Sequence, residues 1–142
     1  MPAVLFDTSL YISALRRGEN GGLALRLIAP DARVWLSVVV LEELYAGAGG
    51  RDRHLIEGLE LDFERGNRIL IPTLEDWTAA GQVLARLAAK YDYDQIGRGR
   101  LTNDALIAMS AGRLGVTVIT SNKKDFGRLA EFRNFSWQVA AF

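Results

Sequence analysis

Ala3-Val4-Leu5-Phe6, followed at once by Asp7-Thr8-Ser9, is the stretch on which the fold turns. An unbroken apolar run of this length reads as a strand buried on both faces, and the Asp-Thr-Ser triplet supplies residues that open helices. The same kind of run returns at Val34-Trp35-Leu36, Ile69-Leu70-Ile71 and Val116-Thr117-Val118-Ile119. Between these runs, 10–15, 23–28, 38–46, 54–63, 75–91 and 105–114 carry helix-forming residues, several with apolar spacings of three and four. Short buried strands alternating with helices predict an α/β fold, a three-layer α/β/α sandwich around a mainly parallel, short-stranded sheet. Strand order stays open at this point.

The 142 residues, 49% of them hydrophobic, suit a single domain over 1–142 with its own core. The absence of cysteine excludes a disulfide framework and any cysteine-ligated zinc, which suits the cytosol. No segment approaches the ~20 apolar residues of a membrane span, and apolar residues precede Arg16 and Arg17, the reverse of a signal peptide's order. A soluble cytoplasmic protein without a membrane partner is expected. Seventeen basic and seventeen acidic residues cancel, so any attraction for nucleic acid must be local. Internal repeats and low-complexity tracts are lacking.

Ligands of parallel α/β sheets bind outside the carboxyl ends of the strands. Asp7 ends the first apolar run and Asp125 follows the last by a few residues, so parallel strands put both carboxylates on one edge. The segment Val38-Val39-Val40-Leu41-Glu42-Glu43-Leu44-Tyr45-Ala46 is apolar nearly all round and should be buried, yet it holds two adjacent glutamates that point in different directions. Asp104 is expected to open the helix that begins at Ala105, whose Ala108 and Ala111 allow close approach to the sheet. Carboxylates ~4 Å apart repel by ~4 kcal/mol at an effective dielectric near 20. Hard divalent ions with oxygen ligands relieve this, and metal-assisted phosphodiester hydrolysis is the chemistry such a cluster suggests.

Leu5-Phe6-Asp7-Thr8-Ser9, the segment from Ser37 to Gly47, Asn103-Asp104-Ala105-Leu106-Ile107-Ala108, and the segment from Val118 to Phe126 together resemble the four blocks of a PIN domain, in order and across nearly the whole chain. The resemblance is closest to the VapC-like toxins of bacterial and archaeal type II toxin–antitoxin pairs. It implies a single PIN-like nuclease domain: an endoribonuclease dependent on Mg²⁺ or Mn²⁺, usually a homodimer, acting on RNA and held inactive by a cognate antitoxin protein. It implies metal-binding and catalytic roles for Asp7, Glu43, Asp104 and Asp125. In the family pattern the second acid precedes Leu, which selects Glu43 over Glu42. Some members carry an acid where this chain has Asn122.

Ordinary structural roles compete with each of these. Asp7 is a favoured N-cap residue, Asp104 suits a helix N-terminus, and Asp125 fits an imperfect capping box begun by Asn122. Thr120 and Asn122 are candidates to contact substrate or metal-bound water, against plain turn formation. Arg98 and Arg100 are candidate phosphate clamps with Tyr93 as a stacking platform, against a solvated loop. Lys123 and Lys124 invite the same two readings. His54 reads as a surface residue, and Trp35, Trp77 and Trp137 as core or interface residues. Alternatives to the toxin are a PIN nuclease of RNA processing or turnover without an antitoxin, and a non-catalytic PIN-fold binding module, which retention of all four acids disfavours. A receiver-like domain would need an acidic pair after the first strand, and a haloacid-dehalogenase-like phosphatase a second aspartate at Ser9.

Overall fold

The computed structural model describes residues 1–18, 21–92 and 98–141, with the backbone alone for Leu23, Arg98, Gly99 and Arg100. Five strands, β1 (Ala3–Phe6), β2 (Arg33–Ser37), β3 (Ile69–Leu70), β4 (Thr117–Thr120) and β5 (Trp137–Val139), form one sheet in the order β3-β2-β1-β4-β5. Every pairing is parallel, with Leu5 beside Trp35 on one side and Val118 on the other. The carboxyl ends of β1, β2 and β4 therefore share an edge. Leu5, Leu36, Val118 and Ile119 are fully buried, as strands covered on both faces require.

The helices are α1 (Thr8–Arg16), α2 (Gly21–Ile28), α3 (Val38–Gly47), α4 (Gly50–Arg65), α5 (Leu74–Tyr91), α6 (Arg98–Leu114) and α7 (Lys123–Ala130). Helices α1 to α4 pack among themselves and α5 to α7 among themselves, giving the expected helical layer on each face of the sheet. Gly21 is indispensable to the first layer, because a Cβ there would stand 2.0 Å from the Ala14 carbonyl oxygen. Gly115, at φ +68°, ends α6 in the left-handed conformation that glycine adopts without strain. No described helix is long and apolar enough to cross a membrane.

Two expectations are corrected. Helix α6 begins at Arg98, so Asp104 is its seventh residue and does not open it. The cause is Leu101, fully buried at the spacing that continues through Ala105 and Ala108, so the helical stripe starts before the polar stretch ends. Strand β5 was not expected; it is a three-residue edge strand in which Gln138 and Val139 are exposed, too short to show alternation. Of the tryptophans read as core or interface residues, Trp77 is 56% exposed and so is not in the core. Tyr93 falls outside the described residues.

One buried charge holds the second helical layer together. Thr73 and Asp76 form a reciprocal capping box at the start of α5, and Arg113 Nε donates to both Asp76 oxygens at 3.0 and 3.1 Å. Burial alone would push the Asp76 carboxyl up, but the Arg113 and Thr73 hydrogen bonds and the Arg113 charge outweigh it and hold the group below its usual range. A depressed carboxyl stabilises the fold above its unfolded value and ceases to do so as pH falls through its folded value. Arg113→Ala is expected to leave a buried carboxylate underpaired and to cost about 2 kcal/mol at neutral pH, roughly 5–8 °C in melting temperature. Thermal melts should show that deficit shrinking below about pH 4; a deficit independent of pH would refute the assigned role.

Candidate active site

At the carboxyl edge, Asp7 leaves β1 and becomes the N-cap of α1, its carboxylate accepting from the Ser9 amide at 3.1 Å. The capping role weighed for this residue is thus observed. The Ser9 hydroxyl also donates to Asp7 Oδ1, and Thr120, the last residue of β4, donates its hydroxyl to Asp7 Oδ2 at 2.6 Å. Neither hydroxyl has a choice of direction. Ser9 Oγ receives the Ser121 amide at 3.3 Å and Thr120 Oγ1 receives the Asn122 amide at 2.9 Å. A backbone N–H only donates and a carboxylate only accepts, so each hydroxyl proton is turned toward Asp7.

Asp7 is 4% exposed. Burial pushes its carboxyl above the ordinary value of 3.8, against the pull of hydrogen bonds from Ser9 and Thr120 and the Ser9 and Leu10 amides. Glu43, on α3, is half-buried and accepts the Thr8 hydroxyl at 2.7 Å, whereas Glu42 is exposed. Helix α3 is capped by Ser37 at the end of β2 and buries Val39, Val40, Leu41 and Leu44, so of its two glutamates only Glu43 lies toward the edge. Asp104, on α6, is 7% exposed. Asp7, Glu43 and Asp104 line one cleft of about 390 Å³ together with Ser9, Ser121 and Asn122.

Thr120 is fully buried and its hydroxyl is directed to Asp7. Asn122 lines the cleft; Asp125 is not among its lining residues and instead pairs with the Asn122 side chain. The side chains of Arg98 and Arg100 lie outside the described residues, while Lys123 and Lys124 are exposed at the start of α7. Two participants escaped sequence reading. Ser9 orients Asp7, and Arg16 ends a cleft wall made by Ser9, Ile12 or Ser13, and Arg16 along one face of α1. Their spacing of three and four was visible in the sequence, but without the cleft it did not distinguish this face from any other.

The donor set is oxygen throughout, the set that suits a hard divalent ion. It is an open set: among the described residues no three acidic side chains are grouped tightly enough to hold an ion alone. That arrangement fits Mg²⁺, which keeps several waters and uses one or two carboxylates with substrate phosphates. A larger cavity, about 630 Å³, lies elsewhere, between α2 and α4, with Arg26, Arg33 and Arg68 in its lining.

The PIN domain profile matches residues 4–132. The chain belongs to the PIN-domain family. No curated protein sequence matches it. Among solved structures it is similar to DNA-bound VapBC from Salmonella typhimurium, with 24% identity over 98% of each chain and a TM-score of 0.68. It is similar also to VapBC2 from Rickettsia felis bound to a promoter DNA fragment, with 20% identity over 98% of this chain and 99% of that one and a TM-score of 0.65. VapBC-1 from nontypeable Haemophilus influenzae gives 24% identity over 96% of this chain and 97% of that one, with a TM-score of 0.62. These identities establish a shared PIN fold over nearly the whole chain.

The hydroxyl pair around Asp7 makes a pH-dependent expectation. A carboxyl raised on folding means that the folded state binds the proton more tightly, so metal-free stability falls as pH rises from 3.8 through the raised value. Thr120→Val keeps the shape, removes a donor from Asp7 Oδ2, and raises that carboxyl further. In EDTA the variant is expected to melt with a loss of about 2 kcal/mol at neutral pH, and with a smaller one as pH falls and Asp7 takes up its proton. A loss that stays constant across this range would show that the hydroxyl serves packing alone.

Proposed function

We propose that this PIN domain is a metal-dependent endoribonuclease that hydrolyses RNA phosphodiester bonds and acts as the toxin of a VapBC-type toxin–antitoxin pair. The observation that carries the nuclease reading is the convergence of Asp7, Glu43 and Asp104, from three separate elements, on one cleft at the carboxyl edge of a parallel sheet. Such a gathering of acids has no value for stability, and family membership supports phosphodiester chemistry there. RNA as the substrate rests on the resemblance to VapC-like toxins.

In this reading Asp7, Glu43 and Asp104 hold Mg²⁺ or Mn²⁺, Asp7 and Glu43 each kept in place by hydroxyl donors. A bound divalent ion supplies charge for the phosphoryl oxygens and lowers the pKa of attacking water. The chain's own part is to orient these carboxylates and to lay the RNA backbone along α1. From Thr8 to Arg16 the helix extends ~12 Å, which leaves Arg16 to meet a phosphate beyond the one being cut. The positive charge of Arg16 then offsets substrate charge, as a neutral protein with an acidic cleft requires.

The partner reading rests on the likeness to VapBC assemblies. A second, mainly apolar groove of about 250 Å³ between α1, α2 and α4, bordered by Leu15, Leu25, Leu44 and Leu59, would receive the antitoxin. Leu55 on its border is 52% exposed and extends the apolar surface of the groove.

Cleavage of structured RNA by the purified protein tests the assignment. Asp7→Asn, Asp104→Asn and Glu43→Gln are each expected to cut the rate by a hundredfold or more, since a lost ligand removes several kcal/mol of charge stabilisation. Glu42→Gln should remain active, and an inactive Glu42→Gln beside an active Glu43→Gln would move the site by one helix position. Arg16→Ala is expected to weaken RNA binding and to flatten its salt dependence by about one phosphate contact. Full cleavage by Asp7→Asn would defeat the reading.

A further inference from the structure

Asn122 and Asp125 are joined twice at the start of α7. Asn122 Oδ1 accepts the Asp125 amide at 3.3 Å, and Asn122 Nδ2 donates to Asp125 Oδ2 at 2.9 Å. The chemistry fixes the orientation of the Asn122 amide: the backbone N–H needs an acceptor, the carboxylate needs a donor, and only one of the two amide orientations provides both. Asn122 lines the acidic cleft, Asp125 does not, and the Asn122 backbone amide continues through Thr120 to Asp7. The charge of Asp125 is therefore engaged one residue behind the cleft, and a neutral amide faces it.

We propose that the fourth corner of the site is the neutral Asn122 amide, that Asp125 is a positioning residue which holds it, and that three carboxylates instead of four line the cleft an ion would enter. This rests on the metal-nuclease reading above. With Arg16 on the wall, the cleft's formal charge is then that of three acids and one base, a balance that one divalent ion neutralises. A fourth carboxylate in direct reach of the ion would bind it more tightly and repel its neighbours more strongly when no ion is bound.

The discriminating protein is the exchange Asn122→Asp with Asp125→Asn. It conserves net charge, keeps a good N-cap in Asp, and recreates the hydrogen bond with Asn at 125 donating, but it moves the negative charge into the cleft. Mn²⁺ binding to the full chain at neutral pH, read from the electron paramagnetic resonance signal of free Mn²⁺, is the measurement. Asp125→Asn alone is expected to change the Kd by less than threefold, the exchange to tighten it about tenfold, and Asp7→Asn to weaken it more than tenfold. A Kd for Asp125→Asn as weak as that for Asp7→Asn would make Asp125 a ligand and overturn the proposal, and so would an exchange that leaves affinity unchanged.

Melting in EDTA separates this from a failure of the metal reading itself. Asp125→Ala is expected to lower the melting temperature of wild type but to have little effect in an Asn122→Ala background, where its partner is already gone. Equal losses in both backgrounds would disprove the pairing whatever the ion does. If Mn²⁺ binding is the same in wild type and Asp7→Asn, the metal reading fails, and with it the assignment of Asn122 as a corner of an ion site.

Discussion

Two hydroxyls that cannot turn away from Asp7 are the constraint from which the rest of the site follows. Ser9 and Thr120 each take a backbone amide from the turn after β4 and each pass a proton to a different oxygen of the same carboxylate. This joins the end of β1, the first turn of α1, the end of β4 and the approach to α7 around a single group. A buried carboxylate without such donors would cost several kcal/mol. The donors pull against the burial that raises its pKa, and they tie together the ends of two paired strands.

The parallel sheet decides what can join this group. Because β2, β1 and β4 run the same way, the segments leaving them emerge on one edge, and the helices that begin there bring their first turns to it. Helix α3 must bury Val39, Val40, Leu41 and Leu44, which leaves few directions for a glutamate, and Glu43 faces the Thr8 hydroxyl across the cleft. Asp104 arrives differently. It comes from within α6, carried by a stripe of Leu101, Ala105 and Ala108 narrow enough to bring the helix close. The helix macrodipole, which favours acids near an N-terminus, has little part in placing it.

The strand runs and the acids were legible in the sequence because both depend on local pattern. Ala3–Phe6 and Thr117–Thr120 are nearly continuous apolar runs, and Glu43 is conspicuous on an otherwise apolar helix. The strand order was not legible, since parallel strands joined by helices leave no local mark of their neighbours. The start of α6 was misplaced because the arginines and glycine at 98–100 resemble a loop, while a single leucine, buried only by tertiary packing, sets the helix. The direction of the Thr120 hydroxyl was not legible for a similar reason. A polar residue after a strand offers its hydroxyl to solvent or to the interior with equal ease, and only the position of Asp7 settles which.

Cavity size and chemistry part company in this molecule. The 630 Å³ space between α2 and α4 records where two helices fail to meet over the sheet, as the absence of substantial packing between them indicates. The acidic cleft is smaller, and its defining property is the fixed direction of its hydrogen bonds. A polymer such as RNA needs no enclosing pocket, because its backbone is gripped by successive phosphates along a surface. What such a cleft needs is carboxylates that stay in place while charged substrate arrives. The hydroxyls of Thr8, Ser9 and Thr120 serve that need at Glu43 and Asp7, and since each is neutral, they orient the acids without cancelling the charge that an ion would answer.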